Sequence, residues 1–462
     1  MRIVDLKFRG HVILTLRPGE ARNHIPAHVD CLAGAARHVN WIDRGPLDRV
    51  VWRYGGGSRV AGVFHARKSL GRPGQHHVDF DEVEERFGLS RTYKLQIAMP
   101  EGTADVVNAL RDLAGVESVA EQTLAIAPMA AGPAPAPVPA VDLRRAWEPH
   151  ERIHAATART LEPGDERVTV AIVDTGIIVG HPEFQRKCLA GYDTVDIGIG
   201  RLNPQMRLVG DSRGWDYNPH DDVGHGCHVS GIIGAHGWTI PPGVAGRSLL
   251  LAIRVLAAVV GESSPRRTGV GCLADIDAGM KVAVDLGGRV LNMSYGTPQS
   301  SVDKDAPLPH RRVVDYAMHH GCILVAAAGN SGISEKYYPA ALPEVIAVGS
   351  VDSGGVRSRF STFGDHVALC APGENIVSTS RNGYAVNSGT SFASPFVAGV
   401  AALLVSRANR HKHRLTGPEV KQILIRSAAP LGGGGFHPET GNGFLDARAA
   451  LRELDVFLGS RS

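Results

Sequence analysis

Beyond about residue 165, short runs of apolar and β-branched residues alternate with amphipathic stretches. Continuous apolar runs are typical of strands buried on both faces of a parallel sheet, and the amphipathic stretches indicate helices. The predicted strands are 168–173, 249–256, 290–293, 323–327, 345–351 and 367–369, and the predicted helices are 273–286, 310–320, 394–407 and 418–427. Strands alternating with helices predict an α/β fold with a doubly wound, mainly parallel sheet.

The N-terminal part of the chain has a different pattern. A strand is predicted over 93–99, a helix over 103–113 and a returning strand over 116–126, which together form a small α+β unit. The segment 129–140 reads MAAGPAPAPVPA, and an Ala/Pro tract favours an extended, semi-rigid linker. We therefore expect an N-terminal domain over 1–128, a linker over 129–140 and a larger domain over 141–456.

The charge balance excludes some classes of partner. Lys and Arg number 49 and Asp and Glu number 46, which gives a net charge of +3. A protein that binds nucleic acid or anionic membrane needs a concentrated basic face, which this balance does not favour. The longest apolar run, 249–260, contains Arg254 and is shorter than the ~18 residues of a membrane span. We expect neither nucleic acid nor membrane as a partner.

Two features favour a cytoplasmic location. Charged residues at positions 2, 5, 7 and 9 interrupt the N-terminal segment, so it lacks the apolar core of a signal peptide. Six cysteines are scattered along the chain in the manner of buried thiols and not of a disulfide framework. We expect a cytoplasmic protein, with secretion by a non-standard route as the alternative.

Three segments combine residue types that suit nucleophilic catalysis. Asp174 ends a predicted strand in Asp-Thr-Gly, His225 lies in Gly-His-Gly-Cys-His, and Ser391 lies in Gly-Thr-Ser-Phe-Ala-Ser-Pro at the start of a predicted helix. A serine hydroxyl is a weak nucleophile until a neighbouring base takes its proton. Histidine can serve as that base near neutral pH, and a carboxylate can orient the imidazole.

At these three segments the chain resembles the subtilisin-like serine peptidases, or subtilases, over about residues 165–450. Ala-Ala-Ala-Gly-Asn330 is similar to the oxyanion segment of that family. The resemblance implies that Ser391 is the nucleophile, His225 the general base and acid, and Asp174 the orienting acid. It also implies that Asn330 donates its amide to the tetrahedral oxyanion, beside the backbone N–H of Ser391.

The resemblance further implies a serine endopeptidase that binds protein or peptide substrates in an extended form. The segment Asn-Met-Ser-Tyr-Gly, which contains Ser294, Tyr295 and Gly296, is similar to the strand end that binds substrate. The glycine-rich stretch 269–271 would form the opposite wall of the cleft, so that the peptide adds as a strand. The preference for a side chain depends on the loop 331–339, whose path the sequence does not fix.

The family implies no cofactor for catalysis. Many secreted relatives hold calcium in an Asn-rich loop, which the short segment 235–245 lacks. A structural calcium ion, which requires oxygen ligands, is possible but not supported, and we predict no metal ligand. Asp211, Asp216, Asp221 and Asp222 precede His225, and both metal binding and structural pairing are open for them.

The N-terminal domain also resembles a part of the family. Its segment Leu-Ala-Gly-Val-Glu-Ser-Val119 is similar to the end of a subtilase propeptide. The resemblance implies a folding assistant and inhibitor whose tail occupies the cleft until it is cleaved or moved aside. A retained domain that recognises a partner is the alternative.

The same residues allow two other functions. A transpeptidase or macrocyclase would use the same triad, with an amine in place of water resolving the acyl-enzyme. A non-catalytic module would use the scaffold only to bind peptides.

Overall fold

The computed structural model describes residues 6–127, 142–261 and 264–460. The predicted linker 129–140 lies outside the described residues. In the N-terminal domain the strands are β1 (Lys7–Leu16), β2 (Ser58–Gly62), β3 (Thr92–Ile97) and β4 (Val116–Ala127), and the helices are α1 (His28–Leu32), α2 (Pro46–Gly55), α3 (Glu82–Arg86) and α4 (Thr103–Arg111).

The larger domain contains the remaining elements. Its helices are α5 (Trp147–Arg152), α6 (Ala155–Leu161), α7 (His225–Gly234), α8 (Leu273–Asp285), α9 (Arg311–His319), α10 (Thr390–Arg410), α11 (Gly417–Ser427) and α12 (Ala447–Gly459). Its strands are β5 (Thr169–Asp174), β6 (Tyr192–Asp193), β7 (Arg201–Asn203), β8 (Met206–Val209), β9 (Leu249–Arg254), β10 (Ala257–Gly261), β11 (Ser264–Cys272), β12 (Val290–Met293), β13 (Thr297–Pro298), β14 (Ile323–Ala327), β15 (Tyr337–Tyr338), β16 (Ile346–Val351), β17 (Val367–Pro372), β18 (Ile376–Ser380) and β19 (Gly383–Asn387).

A parallel sheet forms the centre of the larger domain. Within the described residues it has seven strands in the order β17-β16-β14-β12-β5-β9-β6, and every neighbouring pair is parallel. Side chains of β5 alternate between two cores: Val170 and Ile172 pack with α7 and α10, whereas Ala171 and Val173 pack with α8 and α9. The predicted doubly wound α/β fold is therefore confirmed, and the carboxyl ends of these strands carry the site.

A second sheet joins the N-terminal domain to the larger one. Its order among the described residues is β2-β3-β1-β4-β11-β10-β8-β7. Strand β4 pairs antiparallel with β1 on one side and with β11 on the other. The end of β4 consequently lies against the larger domain, next to the segments 269–271 and 294–296.

The N-terminal domain has its own apolar core between this sheet and two helices. Val12 and Leu14 of β1, Leu95 of β3, Val51 of α2 and Val106 of α4 are buried together. This core explains why the region folds into a compact α+β unit. Sequence analysis predicts β3, α4 and β4 there but gives no element for residues 1–90, where β1, β2, α1, α2 and α3 lie.

One expectation about apolar segments needs correction. Sequence analysis finds no apolar run as long as a membrane span, yet α10 has that length and hydropathy because small residues separate its apolar ones without adding charge. Its most apolar window is 94% buried within the domain, so this helix is part of the core.

Candidate active site

Asp174 and His225 form a buried hydrogen-bonded pair. Asp174 is the last residue of β5 and His225 the first of α7, and Asp174 Oδ1 lies 2.7 Å from His225 Nδ1. Both side chains have 0% exposure, and the backbone N–H of Thr175 donates to the same carboxylate oxygen at 2.7 Å. His225 Nε2 is buried and has no hydrogen-bond partner among the described residues. The carboxylate thus fixes one ring nitrogen and leaves the other for chemistry.

Glycines allow the two backbones that carry this pair to approach closely. Gly224, which precedes α7, has φ +96°, a conformation that a residue with a side chain rarely adopts. A Cβ added to Gly226 would lie 2.2 Å from the carbonyl oxygen of Gly176. The close approach of these backbones therefore explains why the residues around His225 are small.

Asp221 holds the turn before His225 in place. Its carboxylate accepts hydrogen bonds from the backbone N–H groups of Val223, Gly224 and Cys227 at 2.8, 2.7 and 2.8 Å, and from the Thr175 hydroxyl at 2.9 Å. Burial raises the pKa of Asp221, although these hydrogen bonds oppose that change. Sequence analysis left its role open, and the structure assigns it to positioning.

The other acidic residues of that stretch are dispersed. Asp222 lies 3.6 Å from Arg254 and 3.8 Å from Arg267, while Asp216 and Asp211 accept backbone N–H groups of their own turns. No group of three or more His, Cys, Asp or Glu side chains in the described part of the chain is arranged to hold a metal ion.

Ser391 lies at the N-terminus of α10, close to His225. The ring of the next residue, Phe392, is 5.3 Å from the His225 ring. The Ser391 hydroxyl donates to the Ser294 carbonyl oxygen at 3.0 Å, and the Ser294 hydroxyl donates to the Ser391 carbonyl oxygen at 2.9 Å. The structure thus places the residue after Ser391 against the histidine ring, while the Ser391 hydroxyl is turned toward Ser294.

Asn330 is held beside Ser391 by Thr390. Its side-chain oxygen accepts hydrogen bonds from the Thr390 N–H and from the Thr390 hydroxyl, both at 2.9 Å. These contacts identify which side-chain atom of Asn330 is the oxygen and which is the nitrogen. The nitrogen, Nδ2, faces Gly389, since a Cβ added to Gly389 would lie 3.3 Å from it. The amide nitrogen is therefore directed to the start of α10, where Ser391 lies.

The two predicted walls of the cleft already hold a strand. Ile126 of β4 donates its N–H to the Gly296 carbonyl oxygen at 3.2 Å and accepts the Gly296 N–H at 2.9 Å. On the other side, Ala127, Ile126 and Ala125 pair antiparallel with Gly269, Val270 and Gly271. A strand between 294–296 and 269–271 is the arrangement expected for an extended peptide, and here the chain itself supplies it.

Tyr295 contributes to this wall in a different way from its neighbours. Its side chain is buried in the core, with its ring 5.9 Å from that of His310. Burial raises the pKa of its hydroxyl. The predicted binding residues Ser294 and Gly296 thus present backbone groups to the cleft, whereas the Tyr295 side chain points away from it.

The subtilase family model matches residues 165–443 of the chain. This match agrees with the fold, with the buried Asp174–His225 pair and with the serine at the start of α10. The chain belongs to the subtilase family. A thermophilic serine proteinase of Bacillus sp. (strain AK1) is 36% identical over 277 residues, which are 59% of each chain. Thermitase of Thermoactinomyces vulgaris is 35% identical over 260 residues, covering 56% of this subtilase and 81% of thermitase.

A solved structure also resembles this subtilase. A mutant of the protease domain of PatA aligns with a TM-score of 0.51 and 30% identity, covering 64% of this chain and 97% of that one. The similarity confirms the fold of the larger domain. The family match leaves residues 1–164 outside. The matched region spans 59% of the length of the first relative.

Proposed function

We propose that this subtilase is a serine endopeptidase that hydrolyses peptide bonds through an acyl-enzyme on Ser391. The observation that carries the proposal is the buried pair of Asp174 and His225, whose second ring nitrogen has no partner within the described residues. The ring of Phe392, the residue after Ser391, lies 5.3 Å from the His225 ring. The positive end of α10 favours negative charge developing at Ser391.

The observed position of the Ser391 hydroxyl supports a role for the substrate in starting the reaction. A peptide that pairs with Gly296 as β4 does would place the residue two positions later opposite Ser294. Its backbone N–H would take the Ser294 carbonyl oxygen, which now accepts the Ser391 hydroxyl. The hydroxyl then turns to His225 Nε2 by rotation about its Cα–Cβ bond.

The chemical steps follow from these positions. His225 takes the hydroxyl proton while Ser391 Oγ bonds to the carbonyl carbon, and the oxyanion accepts hydrogen bonds from Asn330 Nδ2 and the Ser391 N–H. His225 then gives its proton to the leaving amine as the C–N bond breaks. Water, activated by the same histidine, attacks the acyl-enzyme and releases the acid. Asp174 stabilises the imidazolium throughout.

We further propose that the N-terminal domain inhibits the enzyme until its tail leaves the cleft. The support is that residues 125–127 pair with 269–271 and Ile126 with Gly296, where substrate would lie. Ion pairs between the domains stabilise this arrangement: Lys94 lies 3.0 Å from Asp275, Glu84 2.6 Å from Lys281, and Glu117 2.5 Å from Arg312.

A peptide-library cleavage profile of the full chain, with Ser391→Ala as control, tests the proposal. We expect cleavage by the parent protein and none by the variant, with product masses equal to hydrolysed fragments. Masses of joined or cyclised peptides would instead indicate a transpeptidase, and binding without turnover would indicate a peptide-binding module. N-terminal sequencing of active enzyme decides whether activation needs cleavage, since an intact Met1 in fully active protein would contradict it.

We also propose a cytoplasmic location. All six cysteines are free thiols, which suits a reducing compartment. Cell fractionation followed by immunoblotting tests this, and recovery in the medium would contradict it.

A further inference from the structure

At the carboxyl end of the parallel sheet, the segments that follow β12 and β14 enclose a space near Ser391, called the crevice below. Strands β12 and β14 are paired as far as Met293 and Ala326, and beyond them the segments 294–296 and 327–329 bound the crevice. Ser391 reaches one side through its hydrogen bond to Ser294, and Asn330 continues the other side. In parallel sheets ligands bind in such a crevice. The residue whose carbonyl carbon Ser391 attacks, called the acyl residue below, would direct its side chain there.

The ring of Tyr337 fills this crevice. A Cβ added to Gly296 would lie 3.1 Å from Tyr337 Cδ1, and one added to Gly329 would lie 2.6 Å from Tyr337 Cδ2. The ring therefore touches both glycines from the space between them. Its residue is only 9% exposed. Little volume is left for another large side chain.

The backbone around Tyr337 is held on both sides. Tyr337 and Tyr338 pair with Pro298 and Thr297, and the Tyr337 carbonyl oxygen accepts the N–H of Ala341 at 2.7 Å. The carbonyl oxygen of the preceding residue, Lys336, accepts a hydrogen bond from the Gln299 N–H at 2.8 Å. Moving the ring out of the crevice would thus require breaking this short ladder or forcing the side chain from its rotamer.

The opposite wall is equally fixed. The Gly329 carbonyl oxygen accepts the N–H of Thr362 at 3.0 Å, and the Gly329 N–H donates to the Thr390 hydroxyl at 3.2 Å. The hydroxyls of Ser331 and Thr362 are hydrogen-bonded at 2.9 Å. Gly329 has φ +112°, so a side chain there is disfavoured. The crevice consequently cannot widen without loss of these contacts.

We propose that Tyr337 closes the pocket for the acyl residue and restricts this enzyme to peptides with a small side chain, such as Gly, Ala or Ser, at that position. The proposal rests on the serine peptidase function proposed above. A larger acyl residue would have to displace a buried aromatic ring, and forcing extra volume into a packed space is unfavourable. The loop 331–339, whose path the sequence does not fix, would thus set the preference for the acyl residue through Tyr337 alone.

The test compares kcat/KM for peptides that are identical except for Ala or Phe at the acyl residue. The parent chain should cleave the Ala peptide at least about tenfold better than the Phe peptide. In Tyr337→Gly the ratio should shift toward Phe by at least about tenfold, because the crevice is then empty. Tyr337→Phe keeps the ring and should retain the parent preference. If Tyr337→Gly melts at a lower temperature than the parent, Tyr337→Ala serves as the second variant for the same comparison of kcat/KM.

Several results would overturn the proposal. A parent enzyme that prefers the Phe peptide contradicts it without any variant. An unchanged ratio in folded Tyr337→Gly and Tyr337→Ala shows that the ring does not select the substrate. If no protein cleaves any peptide and a serine-directed phosphonate leaves Ser391 unmodified, the peptidase function itself fails, which is a different result from cleavage with the wrong preference.

Discussion

Ile126 and Gly296 exchange two backbone hydrogen bonds. The Ile126 nitrogen lies 3.2 Å from the Gly296 carbonyl oxygen, and the Gly296 nitrogen lies 2.9 Å from the Ile126 carbonyl oxygen. This reciprocal pair joins the end of the N-terminal domain to the wall of the candidate active site. Under the proposed function, a substrate strand would compete with the chain's own strand for these donors and acceptors. Activity should depend on how firmly the internal strand is held.

Weakening that strand should activate the enzyme. Ile126→Pro removes the N–H that Gly296 accepts, and a lost hydrogen bond of about 0.5–1.5 kcal/mol corresponds to an increase in peptidase rate of about 2- to 10-fold. Ile126→Val keeps the N–H and a similar side chain, so it should match the parent. Initial rates on one peptide measure the effect. Equal rates for all three proteins would show that β4 does not limit access.

Removing the amide of Asn330 should slow the chemical step. Loss of one oxyanion donor lowers kcat by about 10²–10³ in subtilisin, and we expect a similar fall for Asn330→Ala with little change in KM. Asn330→Asp keeps an oxygen for the Thr390 N–H and hydroxyl but places negative charge beside the oxyanion. It should lose at least as much activity. A loss in Asn330→Ala that Asn330→Asp restores would assign Asn330 to positioning Thr390 only.

Asp221 should be important for stability. Asp221→Ala would leave three backbone N–H groups and the Thr175 hydroxyl without their acceptor, which should lower the free energy of unfolding by roughly 1.5–3 kcal/mol or more. Asp221→Asn keeps one oxygen and should lose less. Urea unfolding followed by tryptophan fluorescence measures the difference. A variant as stable as the parent would mean that the turn before His225 holds without this carboxylate.

Two histidines at the interface between the N-terminal and larger domains should make the stability of the folded protein sensitive to acid. His28 lies 2.8 Å from Asp196 and 3.3 Å from His38, and burial, with Lys94 nearby, lowers the pKa of His28 to about 4. His65 lies 3.1 Å from Asp285, and burial, with Lys281 nearby, lowers its pKa to about 4. In both, burial outweighs the neighbouring carboxylate.

The direction of the pH effect follows from these pKa values. The unfolded state binds more protons than the folded one between about pH 6.5 and pH 4, so stability is present above that window and is lost as pH falls through it. Each histidine contributes up to about 3 kcal/mol over the window. Melting temperatures from pH 8 to pH 4 should fall for the parent and fall less for His28→Asn and His65→Asn. Identical curves would contradict the assignment.

Much of the larger domain could be predicted because its sequence signals are local. The strands over 290–293 and 323–327 are found with the predicted bounds, since both are short runs rich in apolar residues that follow a turn. The apolar run 249–260 is more instructive. It forms β9 of the parallel sheet and β10 of the other sheet, and nothing in the local pattern marks the change.

Other features depend on residues far apart in sequence. In β1 buried residues alternate with partly exposed ones, but Lys7, Arg9 and Gly10 obscure that alternation in the sequence. The role of Asp221 depends on the Thr175 hydroxyl, and that of Tyr337 depends on two distant glycines. The motifs therefore give the candidate catalytic residues, which stay a prediction, whereas the contacts that support them emerge only from packing.

In the proposed mechanism, Ser391 is the nucleophile and His225 activates it. Incubation of the parent and Ile126→Pro chains with a fluorophosphonate, followed by peptide mapping, identifies the nucleophile. We predict a single modified residue, Ser391, with no labelling in Ser391→Ala and much slower labelling in His225→Ala. Labelling of another residue, or peptide cleavage that persists in Ser391→Ala, would contradict the account.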